Sequence, residues 1–303
     1  MAEQSHVQWS VVIPAYMPGD NLTIAVASVL TAMGARRDFE IVVVDDASPT
    51  PVQLTIQDDR VRLARMADNV GAVPNFNRSL AQASGEFIHI LHADDYVEPG
   101  FYTALEQGLS IEGVVAAACG VNRVDGDGTL IEVQKPEQSQ AGIWPDAFDR
   151  LAVANRLPAV SIVAPRSTYE VVGDFDESLV HAADWDLWIR FAQAGAFYYD
   201  PAPLATYRVH DAQHTAAVSS SGTNIDEAIT VIKRLPARVD APDATTLMTN
   251  AFLYRAVYAA RTAKRAVLQR RWPVAALQLK AAARCGLLGA TTAARGLVDR
   301  VRT

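Results

Sequence analysis

With 303 residues, half of them apolar and 20% charged, the chain is long enough for one large domain or for a domain with a sizeable appendage. A net charge of −7 argues against a general nucleic-acid binder, whose footprint is a basic face on the main fold. No run reaches the roughly 18 apolar residues of a membrane span, and Cys119 and Cys285 lack both metal-ligand spacing and the density of a disulfide framework. The opening MAEQSHVQWS lacks the basic and apolar regions of a secretory leader, so the expected location is cytoplasmic.

In chain order, Trp9 to Pro14 reads as a buried strand, and Ala15 to Asp20 as a loop. Apolar residues at Leu22, Val26, Val29, Leu30 and Met33 make a helical stripe that Gly34 ends. Glu40 to Val44 is a second buried strand, closed by Asp45-Asp46-Ala47-Ser48-Pro49. Strand, helix and strand with near-continuous apolar strands point to a parallel sheet covered on both faces. Val61-Arg62-Leu63 is a weaker third strand, and Val73 to Ala83 a second helix ended by Gly85. Phe87 to Leu91 is again a buried strand, and it stops at His92-Ala93-Asp94-Asp95. Charges at the end of a buried strand are too costly to be core residues without partners. One such pair is readily a turn. Two pairs at one sheet edge suggest a shared polyvalent site, where α/β sheets place their ligands.

Val114 to Val121 is a further strand, followed by a turn at Asp125-Gly126-Asp127-Gly128 and a return strand at Ile131-Glu132-Val133. Gln134 to Gly142 is polar, Trp144 to Asn155 helical, Ser161 to Pro165 a strand, and Arg166 to Val172 a short helix. Ala183 to Phe191 reads as an amphipathic helix, and Phe197-Tyr198-Tyr199 and Ala205 to His210 as two late strands. Residues 211–224 are polar and rich in Ser, Ala and Thr, the composition of a flexible flap. From Asn224 onward the pattern is helical. Residues 251–303 hold eleven Arg or Lys and one acid, Asp299, and so carry +10, which leaves −17 for the preceding 250. That asymmetry marks a specialised basic tail.

Five blocks in order resemble the inverting, nucleotide-sugar-dependent glycosyltransferases of family 2, which have a single Rossmann-like GT-A domain. They are Val12-Ile13-Pro14-Ala15-Tyr16; Val43 to Ser48; Asn69-Val70-Gly71 with Asn77; Gly85 to Asp95; and Ala183-Asp184-Trp185. The resemblance runs from about Ser10 to His210. It implies an α/β fold of GT-A type, a mostly parallel sheet flanked by helices, over residues 1–224; the helical pattern and charge of the remainder make 225–303 a basic helical extension. It also implies transfer of a sugar, from a UDP-sugar above all, to a hydroxyl of a glycan or lipid-linked acceptor, as in polysaccharide or cell-envelope synthesis.

Each block has a chemical reason. Expulsion of a nucleoside diphosphate builds negative charge that a divalent cation neutralises, and carboxylates suit Mg²⁺ or Mn²⁺. The resemblance puts Asp95 on the metal, with Asp94 sharing the ion or near the ribose. Many relatives have Asp where His92 stands, which leaves open which group reaches the ion. Asp45 or Asp46 would accept from a uracil-like N–H, with Pro14, Ala15 and Tyr16 forming the loop under the base; Tyr16 equally suits packing. Asn69, Gly71 and Asn77 suit loop geometry. Relatives often have Arg where Phe76 stands, and Arg78 is the nearest candidate for phosphate. Inversion needs a general base, and Asp184 holds the family's position, with Ala183 in place of the usual Glu. Asp186 lies about 200° round the helix, so the two cannot share a site. Trp185 and Trp188 suit core packing or an aromatic wall for a sugar. Tyr207-Arg208-Val209-His210 resembles a block that closes many of these proteins, with His210 on the metal shell or diphosphate and Arg208 on phosphate. The basic tail is a helical hairpin that breaks near Trp272-Pro273, and its charge suggests peripheral contact with anionic membrane at the inner face.

Three other readings compete. A sugar-1-phosphate nucleotidyltransferase resembles this sheet but carries a Gly-rich basic loop after the first strand, and Pro14 to Pro18 has neither Lys nor Arg. A signalling receiver module is shorter. A non-catalytic nucleotide-sugar binder differs only in lacking activity.

Overall fold

The computed structural model describes residues 7–209 and 223–302. The chain forms two compact units. The first holds the sheet and, among the described residues, comprises 7–145, 157–177 and 190–209. It opens with β1 (Trp9–Ala15), α1 (Asn21–Met33), β2 (Phe39–Asp45), β3 (Val61–Arg65), α2 (Ala72–Gln82) and β4 (Phe87–Ile90). After these come β5 (Tyr96–Val97), α3 (Phe101–Leu109), β6 (Val114–Val124), β7 (Leu130–Val133) and β8 (Gly142–Trp144).

The sheet order begins β3-β2-β1-β4, and these four strands are parallel. All seven residues of β1 are buried, as expected of a strand covered on both faces. Its register runs from Trp9 opposite Phe39 to Ala15 opposite Asp45, and from Trp9 opposite Phe87 to Val12 opposite Ile90. The carboxyl ends of β2 and β4, with their acidic pairs, therefore flank the end of β1. Gly85 makes the β4 approach possible. Its N–H donates to Ser10 Oγ at 2.7 Å, and a Cβ there would lie 2.6 Å from the Ser10 nitrogen.

Beyond β4 the sheet is mixed. β9 (Ile162–Pro165), which leads into α5 (Arg166–Val172), runs antiparallel to both β4 and β6. The two late strands expected from the sequence are one, β10 (Ala196–Arg208), parallel to β6. Pro201 and Pro203 do not end it because the register shifts between Asp200 and Ala205, and prolines are tolerated at such bulges. The stretch expected to be helical from Trp144 is shorter: Trp144 belongs to β8, and the helix α4 spans Ala147–Val153.

The second unit is not confined to residues after 224. It takes in 146–156 and 178–189, hence α4 and the start of α6 (Ala183–Ala194), together with the C-terminal helices. Those helices span Thr223–Lys233, Ala241–Leu268 and Trp272–Arg302. The last two turn at residues 269–271, where Arg270 has φ 57°, and the second begins at Trp272-Pro273, where proline suits a first helical turn. They pack on each other, and small residues are buried on both: Ala259, Ala263 and Ala266 on one, Ala275, Cys285 and Gly289 on the other. No helix among the described residues is long and apolar enough to cross a membrane.

Candidate active site

Asp45 ends β2 and is wholly buried. Its carboxylate accepts the N–H of Ser48 at 2.9 Å and of Val52 at 3.3 Å, and pairs with the Arg65 guanidinium. Burial pushes its pKa up, but the hydrogen bonds from Ser48, Val52 and Arg65 outweigh burial and hold it below the ordinary carboxylate range. Arg65 was not singled out from the sequence. Only the β2–β3 register, which sets Asp45 opposite Arg65, brings it to the site.

Asp46 is 2% exposed and accepts the N–H groups of Val70 (3.1 Å) and Gly71 (3.0 Å) at the start of α2. An anion there suits the positive end of the helix. Asn69 Nδ2 donates to the Asp46 carbonyl at 3.0 Å, and Gly71 has φ 89°. Arg78 donates to the Asp68 carbonyl at 3.0 Å, and its guanidinium lies 3.8 Å from the Asp46 carboxylate. The expectation that Asp45 or Asp46 receives a base N–H meets carboxylates that already organise the loops after β2 and β3. Pro14 and Ala15 are buried in β1, whereas Tyr16 is 51% exposed, so packing does not account for that ring.

The turn after β4 is different. Asp95 is 1% exposed; one carboxylate oxygen accepts the Arg208 backbone N–H at 2.9 Å, and the other is buried with no partner. His92 Nε2 is also buried without a partner, and its Nδ1 lies 3.7 Å from that same Asp95 oxygen. Ligand atoms of His92, Asp94 and Asp95 all lie within 4.8 Å of one another. Burial, and then the charge of Asp94, push the Asp95 pKa well above the usual range. The fold thus leaves a buried carboxyl oxygen and an imidazole nitrogen without hydrogen-bond partners close to one another. A divalent cation fits that pair, with carboxylate and imidazole donors suited to Mn²⁺ and carboxylates to Mg²⁺. The His92 ring stacks on Phe76 at 5.3 Å between centroids. Two of the three positions where the sequence departs from the family pattern are therefore in contact.

Arg208 is not open to a phosphate as the sequence suggested. It is 4% exposed, and its guanidinium donates to the carbonyls of Asp94 (3.1 Å) and Gly126 (3.0 Å). It braces the turn that carries the acids. His210 and residues 211–222 lie outside the described residues.

In the second unit, Asp184 stands in the first turn of α6 and is partly exposed. Asn155 Nδ2 donates to one of its oxygens at 3.0 Å and the Trp185 N–H to the other at 2.6 Å. Asp186 is 2% exposed and is held by Arg234 (3.1 Å) and Arg238 (3.0 Å). The preceding turn is pinned by Glu227, which accepts the N–H groups of Val180, His181 and Ala182 at 2.7–2.9 Å. Asn155, Glu227, Arg234 and Arg238 escaped sequence reasoning because their partners are distant in the chain. Trp185 and Trp188 are each 1% exposed, so they are core and not a wall for a sugar; Arg255 covers the Trp185 ring at 4.4 Å.

A sheet with parallel strands at one end, acids at their carboxyl edge and a further mixed sheet portion is the architecture of a GT-A nucleotide-sugar fold. The family model for glycosyl transferase family 2 matches residues 10–165, and the chain belongs to that family. An uncharacterised glycosyltransferase of Rickettsia typhi is 26% identical over 212 residues, which are 68% of this chain and 65% of that protein. The chain thus spans just under two thirds of the length of this relative. The succinoglycan biosynthesis protein ExoO of Rhizobium meliloti is 32% identical over 125 residues, 40% of this chain and 35% of that protein. Among solved structures, S. aureus TarS in complex with UDP-GlcNAc superposes with a TM-score of 0.63 at 16% identity, covering 81% of this chain and 72% of that one. This likeness speaks for the fold alone.

Proposed function

We propose that the chain is an inverting glycosyltransferase that moves a sugar from a nucleotide diphosphate sugar, a UDP-sugar first, to a hydroxyl of a glycan or lipid-linked acceptor in polysaccharide or cell-envelope synthesis. The observation that carries the reading is the pair at the end of β4: a buried Asp95 oxygen and a buried His92 nitrogen, both without hydrogen-bond partners, beside Asp94. The succinoglycan relative and the UDP-GlcNAc complex of TarS support the donor and product class.

His92, Asp94 and Asp95 would hold Mn²⁺ or Mg²⁺, which supplies charge for a departing diphosphate. Tyr16, exposed beside the loops that Asp45 and Asp46 organise, offers a face for a base. Asn69 and Arg78 act through that loop, by holding the Asp46 segment. Asp184 is assigned the proton of the acceptor hydroxyl. Its two oxygens are fixed by Asn155 and Trp185, whereas Asp186 is committed to two arginines. A base so oriented takes the proton as the hydroxyl oxygen attacks the anomeric carbon from the face opposite the leaving diphosphate, which inverts that carbon.

The test is a panel of nucleotide sugars, with binding measured by calorimetry and diphosphate release measured with and without Mn²⁺. UDP-sugar binding that needs the cation, with slow release of UDP, is the expected result. Absence of binding and release across UDP-, dTDP- and GDP-sugars with either cation would overturn the proposal.

A further inference from the structure

The C-terminal half of the helix Ala241–Leu268 buries small residues and exposes large ones. From Ala259 on its buried positions are Ala259, Ala263 and Ala266; Leu247 and Phe252 are buried further back, while several other large side chains are exposed. Leu253, at the edge of the face beside Gly289 of the last helix, is 48% exposed, Tyr254 43%, Val257 52%, Tyr258 39% and Leu268 74%. At 3.6 residues per turn these five fall within about 140° of the helix circumference. The same arc holds Arg261, Lys264 and Arg265, all exposed. The next turn adds Arg270, Arg271 and Trp272, the last 61% exposed. From Ala244 to Val298 the sequence has no acid at all.

Single exposed apolar residues are ordinary, but a contiguous set on one helix face marks a contact surface. Interleaved aromatic, aliphatic and cationic residues are the pattern of a helix lying in a lipid interface, with its apolar side chains at the acyl boundary and its cations at the headgroups. Charge chooses the occupant. A second copy would bring the same cations against these and be repelled. An anionic lipid surface complements them, and it accepts Leu268 and Trp272 where a nucleic acid offers no apolar layer.

We propose that the outer face of Ala241–Leu268 and the turn that follows it, centred on Val257, Lys264, Leu268 and Trp272, is a peripheral docking surface for anionic membrane. The surface stands apart from the proposed transfer reaction, and its test does not depend on activity.

The full chain is sedimented with vesicles of phosphatidylcholine alone and of phosphatidylcholine with phosphatidylglycerol, at low and high salt. Binding is expected only with the anionic lipid, and it should weaken as salt rises. Each cation near such a surface changes partitioning by about fivefold, so replacing Arg261, Lys264 and Arg265 with Gln should weaken it by about a hundredfold. The double variant Leu268→Gln and Trp272→Gln should weaken binding while leaving nucleotide-sugar binding as it was. In vesicles with brominated acyl chains, tryptophan fluorescence should be quenched in the wild type and much less in Trp272→Phe. Equal binding to both vesicle types, no binding at low salt, or unchanged binding of the triple Gln variant would overturn the proposal. So would a dimer dissolved by Leu268→Gln, or nucleic-acid binding, in a protein that ignores the vesicles.

Discussion

His89 lies within β4 and is wholly buried. Its Nε2 is 3.0 Å from the Val160 carbonyl and its Nδ1 is 3.1 Å from the Tyr102 hydroxyl. A carbonyl can only accept, so Nε2 carries the proton and Nδ1 accepts from Tyr102. The neutral ring has both nitrogens used, and its face stacks on Phe101 at 4.9 Å. A second proton would bring a charge into apolar surroundings, so burial lowers the pKa from 6.5 to about 3. Between those values the unfolded chain binds the proton and the folded chain does not. The contribution of His89 is therefore full above pH 6.5 and is lost as pH falls toward 3. At 1.36 kcal/mol per pH unit the loss is about 2 kcal/mol at pH 5 and about 3 kcal/mol at pH 4. That is a large part of the roughly 5–15 kcal/mol of a typical domain. Asp95 works in the opposite sense, since its raised pKa makes the folded state bind a proton that the unfolded state has released. The wild-type curve alone mixes the two, and a comparison with His89→Gln separates them, because Gln can still donate to Val160 without titrating. Urea unfolding of both proteins from pH 7 to pH 4, without divalent ions, should show wild type ahead at pH 7. That advantage should shrink by about 3 kcal/mol by pH 4. Parallel stability curves would refute the buried neutral imidazole.

Three further outcomes follow from the same contacts. Asp95→Asn should raise the thermal midpoint at neutral pH without divalent ions, by removing a buried carboxyl that must take up a proton on folding, and should abolish the stabilisation that Mn²⁺ gives the wild type; equal Mn²⁺ stabilisation of both proteins would count against the site. Asp184→Asn should keep donor binding and lose about 10²–10⁴ in transfer rate, whereas Asp186→Asn should cost on the order of 3 kcal/mol of stability by leaving Arg234 and Arg238 without their carboxylate. Activity assays and denaturant curves on the two variants decide this, and a reversal of the pattern would move the base to Asp186. Gly85→Ala places a Cβ 2.7 Å from the Trp9 carbonyl carbon, so it should destabilise the sheet by about 3 kcal/mol; an unchanged denaturation midpoint would contradict the close β1–β4 approach.

The sequence by itself determined the parallel strands, the acids that end two of them, and the break between the terminal helices. These are local matters: apolar continuity, punctuation by glycine and proline, and charge at a strand end. It also held the inverse asymmetry of an acidic body and a basic tail. What only the tertiary structure decided is how each polar group is used. Asp45 and Asp46 look alike in sequence to Asp94 and Asp95, yet the first pair is consumed by loop N–H groups and Arg65 while Asp95 keeps an oxygen without a partner. Asp184 and Asp186 differ by two residues, and distant arginines, Arg234 and Arg238, separate their roles. Arg208 matched a phosphate-binding pattern and is spent on carbonyls. The stacking of Phe76 on His92 joins two departures from the family pattern that are 16 positions apart in sequence. Hydrogen-bond saturation and pair formation depend on residues far along the chain, and periodicity carries no record of them.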